Sequence, residues 1–180
     1  MLINYKVPKV IKSVKYFLNI FLILFLSSCG YHHGSIAHPQ IKTIAFAPII
    51  NETYLPNASE YMRQALSEAF QKDGSWKGVS IEKADCILYG RVVNVATSAP
   101  DITITAGSIN YMTNQFGITV TLEFTVIIPG RPTPLVPTTQ VTGYVQYQVP
   151  VDYFSAQQEA LQSACYQAAM NAVYATTEAW

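Results

Sequence analysis

From Gly117 to Ile128 the chain alternates more cleanly than anywhere else. Ile118, Val120, Leu122, Phe124, Val126 and Ile128 are apolar, and Thr119, Thr121, Glu123 and Thr125 between them are polar. Successive side chains of a strand point to opposite faces, so such a stretch is a strand with one face in a core and the other open. A second alternating run sets Val141, Val145, Tyr147 and Val149 against Thr142, Tyr144, Gln146 and Gln148. The two are predicted to pair as a hairpin. Pro129-Gly130-Arg131-Pro132-Thr133-Pro134 between them can only be a loop, because four nearby prolines, counting Pro137, have no N–H for a ladder.

Two more strands are expected. Ile41 to Pro48 is nearly continuous in apolar residues. Cys86 to Ala96 should turn Cys86, Leu88, Gly90 and Val92 inward and Ile87, Tyr89 and Arg91 outward, with Gly90 letting a helix approach. A shorter strand is expected at Val79–Ile81. The period then changes to 3.6 in two places. Ala58, Tyr61, Met62, Ala65, Leu66, Ala69 and Phe70 make one helix face, with Asn57 and Glu60 as a capping box and Gly74 past its end. Leu161, Ala164, Cys165, Ala168, Ala169, Ala172 and Val173 make another, opened by Ser155 and Gln158, and its alanines give a flat stripe suited to close packing on a sheet.

The expected fold class is α+β: two helices packed on one face of a mixed, roughly four-stranded β-sheet. The other sheet face then shows Thr119, Thr121, Glu123, Thr125, Thr142, Tyr144, Gln146 and Gln148, polar and nearly free of charge. Ser98 to Asn114 is an irregular connection of unusual length, either functional or mobile.

The amino terminus is of another kind. Lys6, Lys9, Lys12 and Lys15 precede the apolar run Tyr16–Leu26, which closes on Ser27-Ser28-Cys29. A basic region, a short apolar region and small residues before a cleavage point make an export signal. The run is too short for a stable span, which needs about 20 residues. Leu26-Ser27-Ser28-Cys29 resembles the lipobox of bacterial lipoproteins. That resemblance implies removal of 1–28, acylation of Cys29 on sulfur and on the new amino group, and a tether over 29–40 ahead of one domain over 41–180. Gly30 after the cysteine, in place of Asp, favours the outer membrane.

Removing 1–28 also changes the charge. The leader holds four of the eleven basic residues and none of the eleven acids, so seven Lys and Arg face eleven Asp and Glu in the rest. An acidic balance argues against a nucleic-acid binder, which presents a basic face. Charged residues are 12% of the chain, against about 25% in ordinary domains. Cys86 and Cys165 both fall on core faces in a compartment that permits disulfides. Spacing alone leaves open whether they pair or pack as thiols.

No catalytic motif is present: no Gly-x-Ser-x-Gly, P-loop, His-Glu-x-x-His or Cys-x-x-Cys. His32, His33 and His38 all lie on the tether, which reads as a solvated linker and holds no preorganised metal site. No enzyme and no cofactor are expected.

Several segments in order resemble the LptE family of lipopolysaccharide-assembly lipoproteins. They are Cys29-Gly30-Tyr31-His32, a strand leading to Pro48, Asn51-Glu52-Thr53-Tyr54 ahead of a helix, Ala84-Asp85-Cys86-Ile87-Leu88-Tyr89-Gly90, Ser98-Ala99-Pro100 and the Ala-rich terminal helix. The resemblance implies a helix-over-sheet plug in the lumen of the large β-barrel lipopolysaccharide translocon of the outer membrane, which helps assemble that barrel and binds lipopolysaccharide. On that reading Thr119, Thr121, Tyr144 and Gln146 face the barrel, and Lys42, Arg91 and Arg131 are candidate phosphate contacts. Regulators of peptidoglycan synthases and secretion-pore lipoproteins share the Pro, Asn-x-Thr and Ala-Asp-x-x-Leu-x-Gly features. The synthase regulators carry long linkers, whereas the tether here spans at most about 40 Å.

Overall fold

The computed structural model describes residues 38–98, 103–105, 108–110, 115–148 and 152–178, with backbone alone at 103–105, 108–110 and 115. These residues belong to one compact unit, 34–180. Cys29, the leader, His32 and His33 lie outside the described residues.

The long strands form as their alternation requires. They are β4 (Cys86–Ser98), β7 (Gln115–Ile127) and β8 (Val136–Gln148), each of 13 residues. β4, β7 and β8 are antiparallel neighbours, and β1 (Thr43–Phe46) runs parallel to β4 on the other side. Two strands of two residues, β2 (Ile50–Asn51) and β3 (Lys77–Gly78), complete a six-stranded mixed sheet in the order β3-β1-β4-β7-β8, with β2 also paired to β4. The strand expected at Val79–Ile81 is displaced to Lys77–Gly78, and Ile81–Lys83 is a 3-10 turn. Within the long connection, β5 (Thr103–Thr105) and β6 (Ser108–Asn110) pair as a small separate hairpin.

Helices α1 (Ala58–Asp73) and α2 (Tyr153–Thr177) cover one face. Ile118, Val120, Leu122, Phe124 and Val126 meet Met62, Leu66 and Phe70 of α1 and Leu161, Ala164, Ala168 and Val173 of α2 in one core. Gly74 ends α1 in the left-handed region (φ 74°), as expected. The capping box at its start does not form. Asn57 itself is left-handed (φ 68°) and caps nothing, while Glu60 pairs with Arg63. The cap of α2 is Asp152, not Ser155: its carboxylate accepts from the N–H of Phe154 at 3.1 Å and of Ser155 at 3.3 Å, and from the Ser155 hydroxyl.

The closest helix approach is at Gly143 rather than Gly90. A Cβ on Gly90 would meet side chains of Ile49 and Leu122, whereas one on Gly143 would overlap backbone atoms of Ala164 and Ala168. Cys86 and Cys165 are both free and fully buried, so they pack as thiols. Burial pushes each thiol pKa up to about 12, with the Asp85 charge adding to the effect at Cys86.

The motifs that suggested the family prove to be clips of the fold. The Asp85 carboxylate accepts from the N–H of Lys42 at 3.0 Å and of Thr43 at 2.9 Å, and the Thr43 hydroxyl accepts from the Asp85 N–H at 2.9 Å. These bonds tie the head of β1 to the head of β4 and hold the Asp85 carboxyl below the usual carboxylate range. Asn51 braces the turn after β2, accepting from the N–H and hydroxyl of Thr53 and donating to the Leu55 carbonyl. His38, placed on the tether by the sequence, has its ring 6.2 Å from that of Trp76.

Candidate functional site

The sheet face opposite the helices is the candidate site. Residues directly opposite one another in an antiparallel pair point to the same side, so the register sorts the face into rungs. Arg91, Glu123 and Gln140 form one. Asn94, Thr121 and Thr142 form the next, and Ala96, Thr119 and Tyr144 the one after. Gly117 and Gln146 follow towards the end of β8. Thus Thr119, Thr121, Tyr144 and Gln146, singled out from alternation alone, do share this face. The Tyr144 ring lies over Gly117, where a Cβ would come within 2.8 Å of it.

The face has one charged rung, and the pairing of Glu52 into it was not visible in the sequence. Arg91 donates from Nε and Nη2 to Glu123 Oε1 at 2.9 and 2.6 Å, and from Nη1 to Glu52 Oε1 at 3.0 Å. Gln140 donates to the other Glu123 oxygen at 2.8 Å. The bonds from Gln140 and then Arg91 hold the Glu123 carboxyl below its usual range. The guanidinium is therefore engaged by two carboxylates, and the rung carries one cation against two anions.

Of the other candidate cations, Lys42 stands at the head of β1 and Arg131 in the β7–β8 loop, where its N–H donates to the Ile128 carbonyl at 3.0 Å. With Arg91 midway along β4, the three occupy three separate elements. Nearer the head of β4 the face turns apolar. Ala45, Ala47 and Ile87 are buried there as a second cluster, with Ala84 and Ile127 packed against it.

The edge of β8 is closed by α2. Asn171 donates to the Thr142 carbonyl at 2.8 Å, and the Tyr144 N–H donates to the Gln167 side-chain oxygen at 3.4 Å. At these two groups the edge is not free to template a further strand. Among the described residues no group of three or more His, Cys, Asp or Glu could hold a metal ion, and no helix is long and apolar enough to cross a membrane.

Solved structures with similar folds include bacterial proteins. Protein XCC0632 from Xanthomonas campestris is 14% identical, with 82% of this chain and 90% of that one covered, at a TM-score of 0.50. At that identity the likeness is one of fold. The PelC dodecamer from Paraburkholderia phytofirmans is 13% identical over 82% and 95% of the two chains, at a TM-score of 0.47. A minor lipoprotein from Acinetobacter baumannii is 10% identical over 77% and 93%, at a TM-score of 0.46. No curated protein sequence matches the chain. The family model that does match, over residues 41–175, is that of LptE, described as lipopolysaccharide-assembly.

Proposed function

Since the chain belongs to the LptE lipopolysaccharide-assembly family, we propose that it is a lipid-anchored outer-membrane protein that plugs the lumen of the β-barrel lipopolysaccharide translocon and helps that barrel to assemble. The leader 1–28 is removed, Cys29 carries the acyl chains, and residues 29–40 tether the domain on the periplasmic side. One acyl chain anchors only marginally, and several on one residue hold firmly.

The observation that carries the reading is the open sheet face. Barrel interiors are polar. A plug must offer hydrogen-bonding groups with little net charge, and the rungs of Asn94, Thr121 and Thr142 and of Thr119 and Tyr144 do so. Strands of 13 residues run about 40 Å, enough to follow a wall whose apolar band is about 25 Å tall. The role is one of binding and scaffolding, without catalysis. Among the described residues Lys42 and Arg131 enter no ion pair, which sets them ahead of Arg91 as contacts to lipopolysaccharide phosphates.

The test is a detergent pull-down of a C-terminally tagged form from outer membranes, read by mass spectrometry. The reading expects a large β-barrel protein in near-equal amount, lost with Cys29→Ala. Recovery of a peptidoglycan synthase instead, or of a ring of copies without a barrel, would overturn it.

A further inference from the structure

The open face is not uniform, and one place on it is built differently. Beside the charged rung lies a hollow of about 170 Å³ lined by Ile50, Tyr89, Arg91, Glu123, Thr125 and Thr138. Ile50 is 60% exposed and Tyr89 45%. Single exposed apolar side chains are ordinary on any surface, but these two flank the same depression, because Ile50 pairs with Arg91 in the parallel β2–β4 register.

The hollow also sits where β7 and β8 slip register, between Phe124 and Val126. There Thr125 turns its hydroxyl to the Val136 carbonyl at 3.0 Å. Such bulges bend a strand and break its ladder, and they concentrate near functional sites. The adjoining wall holds Arg91 between two carboxylates. The side chain of Glu123 is only 17% exposed, while that of Glu52 is 43% exposed and remains open to a second cation.

We infer that this hollow is the anchor of the contact between the sheet face and the translocon wall, receiving one apolar side chain of the barrel with a Lys or Arg beside it to meet Glu52. The inference rests on the plug reading and locates its energy. Interface free energy concentrates in a few apolar or aromatic contacts ringed by polar groups, and a net negative rung selects a basic neighbour. The Thr rungs towards the far end of β7 and β8 serve as complementary, energetically near-neutral surface.

The experiment compares Ile50→Asp with Thr142→Asp in the full lipidated protein. Both side chains are exposed, and a thermal melt of each variant confirms that it folds. Recovery of the barrel in the pull-down should fall about tenfold or more for Ile50→Asp and stay within about twofold of wild type for Thr142→Asp. Loss with Thr142→Asp but not with Ile50→Asp overturns the inference and leaves the plug reading standing. Unchanged recovery for both overturns it as well. If the wild type itself recovers no large barrel, the plug reading fails and takes the inference with it.

Discussion

Gly143 and Ala164 meet backbone to backbone. A Cβ on Gly143 would overlap the Ala164 carbonyl oxygen and lie 2.5 Å from the Ala168 amide nitrogen. No side chain stands between strand and helix at this point, so the alanine stripe of α2 rests directly on β8. Backbone cannot move aside as a flexible side chain would. Gly143→Ala should therefore destabilise at the upper end of overpacking, by about 3 kcal/mol, and lower the Tm by roughly 10 °C. Gly78→Ala, where a Cβ meets nothing within 4 Å, is the control and should leave the melt nearly unchanged. Equal melts for the two variants would show that the approach is looser than described.

The start of α2 offers a second test. Asp152 accepts two backbone N–H bonds and the Ser155 hydroxyl. Asp152→Ala should cost about 1 kcal/mol, the usual loss for a cap, and Ser155→Ala less. The reverse order in chemical denaturation would restore Ser155 as the cap.

Acid should weaken the fold in a defined window. The backbone N–H of Lys42, followed by hydrogen bonding with Thr43, depresses Asp85; Gln140 and Arg91 depress Glu123; and the hydroxyl of Ser155 and the N–H of Phe154 depress Asp152. A carboxyl depressed in the folded state binds fewer protons there than in the unfolded chain. Its contribution is fully present above the unfolded value, about pH 4, and is lost as pH falls through the folded value. Melts from pH 7 to pH 3 should be flat at first and then decline. Asp85→Asn should start less stable and decline less. A decline setting in above pH 6 would contradict this assignment.

The buried thiols should be silent. With both pKa values pushed up to about 12, Cys86 and Cys165 hold almost no thiolate at pH 8, and thiolate is the reactive form. A thiol reagent applied to the unlipidated Cys29→Ala protein should label neither cysteine until denaturant is added, and then both. Rapid labelling of the folded protein would mean that the core opens.

What the sequence disclosed follows from range. The alternation of Ile118 to Val126 and the 3.6 period of α1 are local, and both gave the right element and the right inward face. Thr119, Thr121, Tyr144 and Gln146 came to one face for the same reason. Contacts between distant residues left no such trace. Glu52 reaches Arg91 only because β2 docks on β4, and a two-residue strand has no readable period. Gly143 occupies an ordinary inward position in an alternating run, and nothing local distinguishes it from Gly90. The cap of α2 was misplaced by three residues because Ser155-x-x-Gln158 fits the box pattern as well as Asp152-x-x-Ser155 fits the bonds that form. Asp85 and Asn51 were legible as family signatures, but their role as clips needed the register of β1 against β4.

Whether the open sheet face lies against a large barrel protein can be read by photo-crosslinking in intact cells. A photoreactive residue at Tyr144, on the sheet face, is compared with one at Glu68, on the helical layer. Tyr144 should yield one dominant crosslink to a large outer-membrane β-barrel protein, stronger than any from Glu68. A dominant barrel crosslink from Glu68 with none from Tyr144 would contradict it and turn the domain over in its partner.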